Sequence, residues 1–140
     1  MAQWIDLRLL VIAACGASAG VHAGLVPDHW RDSRALGVLF GLAGLGLAAV
    51  AAALALWPEA LFPLFAAAGL FASLIAAYIA AGEPVDALGV VTKAIEASGL
   101  LLAVLLLRRR PTRPGDLALA YFGLTFVLAF TVASATGHGG

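Results

Sequence analysis

The sequence predicts an all-α integral membrane protein: a compact bundle of five transmembrane helices forming a single domain over residues 1–140. Three observations carry that prediction. Hydrophobic residues make up 63% of the chain and charged residues 11%, against about 25% charged in an ordinary soluble domain. Mean hydropathy is +1.03, more apolar surface than a soluble chain of this length can hide. Five apolar runs reach the roughly 20 residues that a hydrocarbon core about 30 Å thick demands, and none alternates with the period of two that marks a strand.

The first span covers 7–25, LRLLVIAACGASAGVHAGL. Pro27 and Asp28 are expected to end it, because proline disfavours helix in the residue before it. The second covers 35–57, with Asp32 or Ser33 as its cap. A tight turn, WPEALFP, holds Pro58 and Pro63 and leads to the third span, 61–81. Gly82 and Pro84 separate it from the fourth, 85–107. Pro111, Pro114 and Gly115 then precede the fifth, 117–136, which Asp116 can start. Trp4, Trp30 and Trp57 fall at predicted interfaces, where amphipathic rings anchor.

Arginine sets the orientation. Arg108, Arg109, Arg110 and Arg113 share one side with Arg8, while only Arg31 and Arg34 lie on the other. The N-terminus is therefore expected inside and the C-terminus outside. The arginine cluster can also touch anionic lipid heads.

The sequence LVIAAC over 10–15 resembles a lipoprotein cleavage box, but the apolar run continues beyond Cys15 far enough to span. Cys15 is read as a small buried residue. One cysteine excludes an intrachain disulfide framework, and zero formal net charge gives no basic footprint for nucleic acid.

Small residues four apart let helix backbones approach closely. Gly16, Gly20 and Gly24 form such a ridge on the first helix, and Gly37 and Gly41 on the second. These ridges are expected to be intramolecular packing faces, with a homodimer interface as the alternative. Cys15, Ser18 and His22 fall roughly opposite the first ridge, giving that helix one smooth and one faintly polar face.

The most informative stretch is Gly82–Glu96, GEPVDALGVVTKAIE. It places Glu83, Asp86, Lys93 and Glu96 among apolar spans, where a charge at mid-bilayer costs about 2.5–3.5 kcal/mol. Asp86 and Lys93 share nearly one helix face, and Lys93 and Glu96 can pair at i,i+3. Glu96 lies about 15 Å along the helix from Asp86. From Gly99 to Leu107 no polar residue continues the stripe. With the orientation above, His22, His29, Glu83, Asp86 and His138 gather at the outer face.

Carboxylates and imidazoles are ligands for divalent or copper-type metals. His22, His29, Glu83 and Asp86 are therefore the candidate metal set, with Lys93 and Glu96 as a buried charge pair or proton relay. Cys15 and His138 are peripheral candidates. The expected function is an outward-facing pocket that binds, or helps to transport, a metal ion or proton, in association with a second copy or a partner membrane subunit. Two alternatives stand beside it. One is a structural accessory subunit or assembly factor whose Lys93–Glu96 pair fixes helix packing. The other is a membrane redox protein with a cofactor such as haem. No nucleophile elbow, phosphate loop or dinucleotide fingerprint appears, so no enzyme is expected.

Two segments carry a resemblance. GVHAGLVPDHWRDSRALGVLFGLAG and GEPVDALGVVTKAIEASGLLLA are similar to parts of small multi-span membrane proteins of high-GC bacteria that have no assigned activity. The outline also resembles the DoxX-like class of small four-helix membrane proteins. The resemblance implies a multi-pass protein of the bacterial inner membrane. Its matching polar positions are His22, Asp28, His29, Glu83, Asp86, Lys93 and Glu96.

Overall fold

The computed structural model describes residues 2–82 and 84–109, with side chains from Leu7 onward. Four helices fill it: α1 (Ala2–Asp32), α2 (Arg34–Leu56), α3 (Phe62–Ala81) and α4 (Ala87–Arg108). All four are long and apolar enough to cross a membrane, and the described residues contain no strand. The chain is a multi-pass membrane protein. The predicted fifth span, 117–136, lies outside the described residues, as do Glu83 and His138.

Each helix end has an identifiable cause. A single extended residue, Ser33 (φ −157°, ψ 127°), reverses the chain between α1 and α2. It sits at the cap position, but its hydroxyl makes no capping bond. So sharp a reversal presses the two helices together. A Cβ on Gly37 would lie 2.9 Å from the Trp30 Cα, so only glycine fits there. At the other end of α2, the Arg8 guanidinium donates to the carbonyls of Leu54 (2.9 Å) and Trp57 (2.8 Å). It thereby serves acceptors left over by the end of the helix. Pro63 stands in the first turn of α3, where its missing N–H costs nothing. Gly82 closes α3 in the left-handed conformation at φ 63°. Asp86 caps α4, accepting from the Gly89 amide at 2.6 Å.

One boundary differs from the sequence expectation. α1 does not stop at Pro27 but runs through it to Asp32. A proline removes one helical hydrogen bond. The helix continues because its last turns are clamped to α2, the most extensive interface of the bundle. There the His29 ring stacks on Phe40 with centroids 3.8 Å apart.

The principal contacts run α1–α2, α2–α3, α3–α4 and α4–α1, closing a ring of four alternately directed helices. The core holds Val11, Leu47, Leu54, Leu64, Phe71 and Leu106, all buried. Cys15 is part of it, fully enclosed, as expected of a small buried residue. Phe71 packs closely on α4: a Cβ on Gly99 would come within 2.5 Å of its ring.

The two faces of α1 are used in the opposite sense to that expected. Ser18 and His22, on the faintly polar face, are buried against the bundle. Gly16, Gly20 and Gly24 face away, and among the described residues a Cβ on any of them would meet nothing within 4 Å. In lipid there is no hydrophobic gain in burying either face. The deciding term is the penalty for polar groups facing hydrocarbon, several kcal/mol per unsatisfied group. That penalty turns Ser18 and His22 toward the charges of α4, and among the described residues nothing packs on the smooth ridge.

Candidate functional site

The charges of α4 define the site. Glu96 is fully buried at the level of mid-α1. Its Oε1 accepts from the Ser18 hydroxyl at 2.8 Å, and its Oε2 accepts from the Lys93 ammonium at 2.5 Å. Lys93 and Glu96 are three residues apart, so one helix face presents both. The Lys93 ammonium also donates to the Leu74 carbonyl of α3 at 3.3 Å and lies 5.2 Å from the Tyr78 ring centre, within cation–π range. α1, α3 and α4 thus meet at one ion pair.

His22 completes the cluster. Its Nδ1 is 2.8 Å from the Ser18 carbonyl. A carbonyl can only accept, so Nδ1 carries the proton and Nε2 is the lone pair of the neutral ring. That Nε2 lies 3.9 Å from Glu96 Oε1, too far for a direct bond and close enough for a shift of about 1 Å to make one. His29, seven residues on, repeats the arrangement, with Nδ1 3.0 Å from the Leu25 carbonyl. The two imidazoles flank Phe40 of α2, tilted at 5.3 Å for His22 and stacked at 3.8 Å for His29.

A cavity of about 200 Å3 adjoins this cluster, at the end of the bundle that holds the α1–α2 reversal and the start of α4. His22, His29 and Phe40 form one wall, and Tyr78, Thr92 and Lys93 the other. Asp86 and Pro84 stand at the rim. The volume is below the roughly 300–1,000 Å3 of pockets for drug-sized ligands and ample for several waters. Glu96 itself does not line it. Lys93 and His22 stand between the carboxylate and the cavity.

The structure therefore brings His22, Lys93 and Glu96 into one cluster and places His29 and Asp86 on the adjoining cavity. Asp86 is exposed, with one oxygen engaged as the cap of α4. Cys15 belongs to the apolar core. Glu83 and His138 lie outside the described residues. Among the described residues no three of His, Cys, Asp and Glu gather closely enough to hold a metal ion.

Ser18, Phe40, Tyr78 and the Leu74 carbonyl are site groups that sequence reasoning did not select. Ser18 carried a signal, its place beside His22 on the polar face. Phe40 and Tyr78 carried none, because an aromatic ring inside an apolar span looks like any other lipid-compatible residue.

Among the described residues every buried side-chain nitrogen and oxygen has a hydrogen-bond partner. The cluster is a closed polar network in an apolar surround, with an imidazole one short step from a carboxylate. No family model, curated protein or solved structure matches this chain, so its functional reading stands on this geometry.

Proposed function

We propose that this chain is a proton-binding subunit of the bacterial inner membrane, and that Glu96 accepts and releases the proton through a cavity open to the outer side. One observation carries the reading. Glu96 is fully buried between Ser18 and Lys93, and among the described residues the one imidazole within 4 Å of it belongs to the cavity wall.

The route has defined steps. Water in the cavity reaches His22, whose Nε2 lone pair takes a proton. The imidazolium then presents Nε2–H toward Glu96 Oε1, 3.9 Å away, and hands the proton across after a small approach. Lys93 holds the other carboxylate oxygen. His29 extends the imidazole path toward the rim.

The access is one-sided. Beyond Glu96, α4 is apolar from Gly99 to Leu107, Phe71 covers Gly99, and Val11 and Cys15 fill the neighbouring face of α1. A proton that enters therefore leaves by the same side or passes to a partner. This suits an accessory subunit better than a complete transporter. Arg8 at the start of α1 and Arg108 and Arg109 at the end of α4 favour an inner location for the far end of the bundle, so the cavity faces out. The span predicted over 117–136 would then place the C-terminus outside.

Difference infrared spectroscopy of the protein in lipid nanodiscs tests the reading. A protonated-carboxyl band that appears on acidification and disappears in Glu96→Gln is the expected result. An unchanged spectrum in that variant, with an intact fold, would leave the cluster as a structural lock between α1, α3 and α4.

A further inference from the structure

The walls of the cavity have an unusual balance of donors and acceptors. Both imidazoles turn their Nδ1–H to a backbone carbonyl of their own helix, so in the neutral form of each ring Nε2 is the acceptor. The Thr92 hydroxyl donates to the Leu88 carbonyl at 2.7 Å, so only its lone pairs remain. The Lys93 ammonium spends its three directions on Glu96, the Leu74 carbonyl and the Tyr78 ring. The Asp86 carboxylate accepts alone. What the cavity offers a guest is therefore almost entirely acceptors.

Charge points the same way. Lys93 and Glu96 cancel. On the nearby α1–α2 reversal, Asp28 and Asp32 balance Arg31 and Arg34. Two helix N-termini and two C-termini meet at this end of the ring, so their dipoles largely offset each other. Among the described residues, Asp86 at the rim is left as the uncompensated charge. An anion would meet the Asp86 carboxylate at the rim, and a neutral apolar guest would strand the side-chain acceptors.

We propose that the cavity binds a small organic monocation rich in N–H donors, of the primary alkylammonium class, with its ammonium between Asp86 and the imidazole Nε2 atoms and its alkyl part against Phe40, Leu25 and Leu88. Such a guest uses the same aqueous approach as the proton, and to that extent the proposal rests on the reading above. A volume of about 200 Å3 fits a chain of a few carbons, and the aromatic walls suit a cation.

The test is calorimetric titration of n-butylammonium into the full-length protein in mild detergent, with n-butanol as the neutral probe of matching shape. Saturable binding of the amine, with butanol weaker by about tenfold or more, is expected. Asp86→Asn keeps the cap of α4 and should weaken the amine by about tenfold while leaving the melting temperature in place. No amine binding, equal binding of butanol, or an unchanged affinity in Asp86→Asn would overturn the proposal. The Glu96 infrared band, recorded on the same samples, separates the two readings. A titrating band without amine binding sinks the amine alone, and amine binding without the band sinks the proton alone.

Discussion

The hydroxyl of Ser18 donates to the carboxylate of Glu96 at 2.8 Å, across 78 positions of sequence. This bond ties α1 to α4 beside the cavity that His22 and Lys93 both line. In a hydrocarbon solvent the apolar faces of either helix could meet lipid without penalty, so a buried polar contact has unusual influence on register.

Removal of either partner should therefore be costly, and unequally so. Glu96→Ala strands the Lys93 ammonium in the bundle and is expected to lose about 3–5 kcal/mol. Glu96→Gln keeps an acceptor for Ser18 and Lys93 and should lose less, about 1–3 kcal/mol. Ser18→Ala removes one bond to a charged group, about 1.5–3 kcal/mol. Unfolding in mixed detergent micelles measures all three. A combined Ser18→Ala and Glu96→Gln variant that loses less than the sum would confirm the coupling.

The glycines divide into two classes. Gly99→Ala would drive a methyl into the Phe71 ring, and Gly37→Ala would drive one into Trp30, so each should cost about 1–3 kcal/mol. Gly20→Ala meets nothing within 4 Å among the described residues and should change stability by less than about 0.5 kcal/mol. A large loss at Gly20 would mean that the ridge of α1 carries a packed partner.

Arg8 serves the end of a helix from another helix, with two carbonyls of α2 within 2.9 Å. Arg8→Ala should destabilise the bundle by about 1–3 kcal/mol. Arg8→Lys should recover only part of that, because a single ammonium lacks the fork that reaches Leu54 and Trp57 together. Hydrogen exchange of the last turn of α2 reports the loss locally.

The one thiol offers a test of packing. Cys15 is fully enclosed, so a maleimide should label it only after the bundle is unfolded. Rapid labelling of the native protein in detergent would contradict the placement of this face of α1 at the core.

Much of this protein was legible without coordinates. The apolar run lengths placed four of its helices to within a few residues, apart from the far end of α1. Lys93 with Glu96 read as a pair because three positions on a helix are neighbours whatever surrounds them. Local rules sufficed for these, since each depends on the chain within one or two turns. Rotation did not. A soluble helix announces its buried face by the contrast between apolar and polar sides, and in spans that are apolar all round that contrast is nearly absent. The glycine ridge therefore looked like the packing face of α1, whereas Ser18 and His22 hold that place. Phe40 and Tyr78 could not be told from lipid-facing rings, and Pro27 looked like a stop until α2 was there to clamp the turns beyond it. Only the assembled bundle decided these points, because only there do the polar groups of one helix find, or fail to find, partners on another.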